Sequence, residues 1–193
     1  MMKMNVWDLC VDATQAMRLR YRPFAELYFY GLPVFVVVML AVGVANAMAY
    51  APILGHSWGA FAFGLVAAVT RWLILTRAVT DVLHYKYGSP KIPFLGYTLA
   101  TEALVIPTIF MLPFQELAPL VGIWTAWAAW AQLAGFAVVS RQTIWRVLLA
   151  YVVYWLVSGL LISIFLAAFI SDGLLNEAEI VNNLNEFLQV VPK

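Results

Sequence analysis

WRVLLAYVVYWLVSGLLISIFLAAFI, residues 145–170, carries a single charge, Arg146, and that charge lies in its first turn. A helix rises about 1.5 Å per residue, so the run is long enough to cross the roughly 30 Å hydrocarbon layer of a bilayer. Only a helix satisfies all of its backbone groups within such a segment. Four further stretches share this character: Leu27 to Tyr50, Ser57 to Thr76, Phe94 to Leu112 and Leu117 to Val139. The connectors carry helix-ending chemistry in Ala51-Pro52, Gly88-Ser89-Pro90, Pro113 and Ser140-Arg141-Gln142. The third stretch departs most from the pattern, because it contains Glu102 and Pro107.

Composition agrees with this reading. Of 193 residues, 64% are hydrophobic and 11% charged, against about 25% charged in an ordinary soluble domain. No hydrophilic stretch is long enough for a separate soluble unit. The expected fold is therefore an all-α polytopic membrane protein. It forms a single domain over residues 1–193, with about five transmembrane helices and an amphipathic helix at each end. Cys10 is the sole thiol, which excludes an intrachain disulfide. The first apolar run follows a basic leader without a small-residue cleavage site and is expected to stay as an anchor.

Basic residues fall on one side of a five-span arrangement. Lys3, Arg18, Arg20 and Arg22 precede the first span, Arg77, Lys86 and Lys91 follow the second, and Arg141 and Arg146 flank the fourth connector. Glu116, Asp172, Glu177, Glu179, Glu186 and Lys193 fall on the other side. The positive-inside rule then predicts a cytoplasmic N-terminus and an external C-terminus, in a bacterial cytoplasmic membrane. From Asn5 to Leu19, Val6, Trp7, Cys10, Val11 and Met17 form an apolar stripe opposite Asp8, Asp12 and Gln15, with Asn5 as N-cap. A second amphipathic helix follows Ser171 or Asp172, with Leu174, Ala178, Val181, Leu184, Leu188 and Val191 opposite Glu179, Asn182 and Glu186. Both helices are expected to lie along the membrane surface or dock on a partner.

Ionisable groups inside a bilayer cost at least about 2.5 to 3.5 kcal/mol, so Arg71 and Glu102 require an explanation. Their positions place both at similar depth, where they could form an interhelical ion pair or line a proton or ion path; Arg71 could also snorkel to the headgroups. Gln132 is a third intramembrane polar candidate. Trp124, Trp127 and Trp130 lie three apart on the fourth span and could wall a flat ligand or fill gaps between helices. Tyr28, Tyr30, Trp58, Trp72, Trp145, Tyr151 and Tyr154 read as interfacial anchors.

His56 and His84 fall a membrane thickness apart, so they build no shared metal or haem site. Arg77, Asp81 and His84 share a face at helical spacing, as if the second helix continued beyond the bilayer. No phosphate loop, carboxylate pair or nucleophile elbow is present, and no catalytic residue, metal ligand or cofactor is expected.

The five-span plan, Gly96-Tyr97 opening the third span, Pro107 later in it, and the apolar stretch from Tyr151 to Phe165 together resemble the Yip family of membrane proteins. Eukaryotic members of that family interact with small Rab-type GTPases in vesicle traffic. The glycine-proline element that members carry before the first span is absent here, where Asp8-Leu9 is followed by Cys10, and no site residue carries over. The expected function is a non-enzymatic scaffold or accessory subunit. Its partners would be membrane lipids and other membrane-protein subunits, without nucleic acid. A small transporter or channel using Arg71 and Glu102 is the first alternative, and a quinone- or lipid-associated redox partner using the tryptophans is the second.

Overall fold

A computed structural model describes residues 5–22 and 29–190, with side chains described as far as 186. Lys3, Leu27, Tyr28, Val191 and Lys193 lie outside the described residues, as does the side chain of Leu188. The described chain is helical without strands. Its elements are α1 (Val6–Met17), α2 (Leu32–Leu54), α3 (Trp58–Asp81), α4 (Leu95–Glu102), α5 (Ala118–Ser140), α6 (Ile144–Ser171) and α7 (Glu177–Val190). Four helices are long and apolar enough to cross a membrane: α2, α3 with its extension to Lys86, α5 with the turn from Gln115, and α6.

The third expected span takes a different form. α4 passes after Glu102 into a 3₁₀ helix over Ala103–Phe110 that contains Pro107. Proline has no N–H to return to Ala103, so the α register cannot continue through it. The 3₁₀ register rises about 2.0 Å per residue, and the two parts together reach about 28 Å, close to the hydrocarbon thickness. The Leu104 carbonyl would look to Pro107 in this register; it accepts instead from the Trp124 indole N–H at 2.7 Å. A side chain on α5 thus fills the gap left by the proline.

Helix ends differ from expectation in three places. α7 begins at Glu177, because Ser171 ends α6 and Asp172 is its C-cap, so that Leu174 lies in the intervening turn. α2 begins at Leu32 and runs through Pro52 to Leu54, with one helical bond missing because Pro52 has no N–H for the Met48 carbonyl. α3 continues past Thr76 to Asp81 and then widens into a π turn over Val82–Lys86, which agrees with the helical spacing of Arg77, Asp81 and His84. α5 closes at Arg141 in the left-handed region (φ 55°), with Gln142 N–H returning to the Ala137 carbonyl.

Small residues bring α2 and α3 together. A Cβ on Gly64 would stand 2.8 Å from the Gly43 carbonyl oxygen and the Ala47 nitrogen, so the backbones meet with no room between them. α3 also packs along α6. One large core, toward the end of the bundle that carries Arg77, Lys86, Lys91, Arg141 and Arg146, gathers Leu75, Val79, Phe94, Tyr97, Phe136, Val147 and Tyr151. There the Arg146 guanidinium lies 4.7 Å from the Tyr87 ring, joining the ends of α3 and α6. At the opposite, acidic end, Leu54, Ala60, Phe63 and Leu175 form a smaller cluster. α7 folds back there, with Asn183 Nδ2 donating to the Ile53 carbonyl at 3.2 Å.

The two amphipathic helices dock by unexpected faces. α1 buries Leu9, Asp12, Ala13 and Ala16 against the bundle, while Val6, Trp7 and Cys10 face outward. Asp12, expected on the polar outer side, is instead fully buried between Arg22 and Tyr30. α7 is anchored through Ile180 and Asn183, and Leu174 precedes it with Val181 and Leu184 on an exposed stripe. In α1 the outward part of the stripe is Val6, Trp7 and Cys10, while Met17 packs on the core; in α7 it is Val181 and Leu184, and these outward residues are available to lipid.

Candidate functional site

Asn46 and Tyr50 on α2, Arg71 on α3, Glu102 at the end of α4 and Gln132 on α5 all open into one cavity of about 270 Å³. The cavity begins at mid-bundle, around Arg71, Glu102 and Gln132, and extends to Leu112 and Val121 near the acidic end. Toward the basic end it is closed. One turn beyond Arg71 and Gln132 come Leu75 and Phe136, and Tyr97 precedes Glu102; all three are buried. Phe136 sits between Phe94 (ring centroids 5.1 Å) and Tyr97 (4.9 Å), forming an aromatic plug.

Gln132 organises the closed end. Its Nε2 donates to Thr101 Oγ1 at 2.8 Å and to Glu102 Oε1 at 3.4 Å, and its Oε1 accepts from the Tyr151 hydroxyl at 2.8 Å. Arg71 Nε donates to the Tyr154 hydroxyl at 3.0 Å. Arg71 and Glu102 line the same cavity. They do not touch: among the described residues, the ion pair within 4.0 Å is Arg22 with Asp12. The expected interhelical ion pair is therefore replaced by two opposite charges facing a shared space, each held by a neutral hydrogen-bonding neighbour.

The lining is largely apolar, with the polar groups of Asn46, Tyr50, Arg71, Glu102 and Gln132 set among Ala, Val and Leu side chains, and the space is large enough for water. At about 30 Å³ per molecule it would hold roughly nine waters, or a small solute in their place. The wall offers both a fixed guanidinium and a carboxylate, together with the hydroxyls of Tyr50, Thr101, Thr108 and Thr125. Such a site can recognise a small ion or a molecule bearing both charges.

The three tryptophans do not share a wall. Trp124 lines the cavity and donates to Leu104, Trp127 donates from α5 to the Met17 carbonyl at 3.1 Å, and Trp130 is half exposed on the outer surface. Tyr151 and Tyr154 are buried at 8% and 5% exposure rather than standing at an interface. With Ser158 they form a polar stripe at helical spacing on the inward face of α6, a signal present in the sequence. Asn46, the one amide within the first apolar run, was legible in the same way; its Nδ2 donates to the Gly64 carbonyl at 3.4 Å. Trp58 and Trp145 stand at helix starts, 85% and 77% exposed, where anchors are expected. His84 Nδ1 bonds the Ser89 carbonyl at 2.8 Å, far along the chain from His56, and no cluster of three potential metal ligands occurs among the described residues.

No family model matches the chain, and neither a curated protein nor a solved structure matches it.

Proposed function

We propose that this protein is a small membrane transport protein of carrier or channel type, with a binding site for a small ionic solute between Arg71 and Glu102. One observation carries the reading: two opposite charges at membrane depth line a common cavity without pairing. A bundle stabilised only by an ion pair would close those groups on each other, since an uncompensated charge in low dielectric is costly. Here the charges stay apart, in a cavity that reaches toward the acidic end and is plugged toward the basic one. That asymmetry suits alternating access, in which α4 and its proline-broken continuation are the element able to shift. The basic end would face the cytoplasm and the acidic end the exterior.

The test is reconstitution in liposomes with separate imposed proton and K⁺ gradients and zwitterionic amino acids as solutes. Wild type should dissipate at least one gradient or accumulate a solute, and Glu102→Gln and Arg71→Leu should each lower that flux at least tenfold. Flux no faster than in empty liposomes for every solute would overturn the proposal.

A second reading, a Yip-like scaffold or accessory subunit, is supported by the outward apolar surfaces. Trp155, Leu156, Leu160 and Ile164 cover one side of α6, alongside the free stripes of α1 and α7. A stoichiometric membrane partner recovered in mild detergent, with no flux in liposomes, would favour it.

A further inference from the structure

At the basic end, a cleft of about 360 Å³ between α3 and the start of α4 is lined by Arg77 and Lys91 together with Thr76, Thr80 and Ile92. Pro93 and Leu95 belong both to this cleft and to a larger apolar groove of about 500 Å³. The groove descends between α2 and α4 past Leu32, Phe35, Trp72 and Leu99. The two spaces are neighbours that share Pro93 and Leu95 as wall residues. Phe94 and Leu95, at the uncapped start of α4, line the cleft on the side of the groove, and the cations Arg77 and Lys91 belong to the cleft alone.

We infer that this composite groove binds an anionic glycerophospholipid, its phosphate between Arg77 and Lys91 and an acyl chain along Phe35 and Trp72. Charge complementarity decides the occupant. Arg77 and Lys91 are both exposed and neither takes part in an ion pair among the described residues. Asp81, one turn beyond Arg77, forms none with it. Two unpaired cations at the mouth of an apolar groove favour a lipid with a negative headgroup over a zwitterionic one. Depth agrees: Trp72 precedes Arg77 by five residues, about 7.5 Å toward the middle of the bundle. It is held there against Phe35 (ring centroids 4.8 Å) and by its indole N–H to the Leu95 carbonyl at 3.2 Å. Along the helix axis the cations thus lie nearer the basic end than the aromatic pair, the order of headgroup and chain in a phospholipid. Both volumes fall in the range of small-molecule sites.

The experiment is native mass spectrometry of delipidated full-length protein offered phosphatidylglycerol or phosphatidylcholine with identical acyl chains. Phosphatidylglycerol should be retained at least fivefold more than phosphatidylcholine. The double variant Arg77→Gln/Lys91→Gln should bring that ratio within twofold of unity, and Lys91→Gln alone, an exposed loop position, should give an intermediate ratio. Lys86→Gln/Arg141→Gln removes the same charge from the same end and should keep the preference. Equal retention of the two lipids by wild type, or equal loss in both double variants, overturns the site. Competition by glycerol 3-phosphate at the lipid's own concentration would identify a free phosphate ester as the occupant and overturn the lipid.

Discussion

Asp12 receives three donations: Arg22 Nε and Nη2 reach Oδ1 at 2.7 Å each, and the Tyr30 hydroxyl reaches Oδ2 at 2.6 Å. A buried carboxylate persists only with such support, because the charged form otherwise lacks solvation. Asp12 thereby ties α1 to Arg22 and to Tyr30, just ahead of α2. Asp12→Ala should lower the unfolding free energy in detergent by about 2 kcal/mol, the worth of hydrogen bonds to a charged group. Asp8→Ala should lose about 1 kcal/mol by opening the capping box with Asn5. Chemical denaturation followed by circular dichroism measures both; equal losses would mean that Asp12 is not the tie. Sequence reasoning found Arg71, Glu102 and Gln132, since each is conspicuous in an apolar run. It missed Asp12, Tyr151 and Tyr154, because an aspartate in an amphipathic helix looks solvated and tyrosine is at home both in an interface and in a core.

α4 and its 3₁₀ continuation depend on α5 for a hydrogen bond their own sequence cannot supply. Trp124→Phe keeps the ring in the cavity wall but leaves the Leu104 carbonyl unpaired, at a cost of about 1–3 kcal/mol. Pro107→Ala restores an N–H in that region, so the double variant Trp124→Phe/Pro107→Ala should lose less than the Trp124→Phe loss predicts. A thermal-stability double-mutant cycle reads the coupling, and simple additivity would show that the indole bond does not compensate for the proline. The third span was legible as apolar and proline-broken. Its change of register was not, because that depends on a donor from another helix. α1 and α7 show the same limit: periodicity identified an apolar stripe on each, yet α1 docks through Leu9, Asp12, Ala13 and Ala16 and α7 through Ile180 and Asn183.

Across the whole molecule, one end gathers Arg77, Lys86, Lys91, Arg141 and Arg146, and the other Glu116, Asp172, Glu177 and Glu179. Single cysteines at Lys86 or Lys91 should label from the cytoplasm in a Cys10→Ser background, and those at Asn182 or Glu186 from outside. Labelling of both sets from one side would require an even number of crossings. The sequence alone determined that the chain is an all-helical membrane protein, which apolar runs hold its long helices, and that Arg71 and Glu102 are out of place in lipid. These follow from local quantities: run length, apolar content and the cost of a charge in hydrocarbon. Tertiary structure decided that Arg71 and Glu102 face a cavity instead of each other, that Tyr151 and Tyr154 close the network, and that Arg77 and Lys91 share a cleft. Those relations rest on the rotation of each helix and the distance between neighbours. Glycine contacts such as Gly64 on Gly43 and the register change at Pro107 set both, and no single helix encodes them.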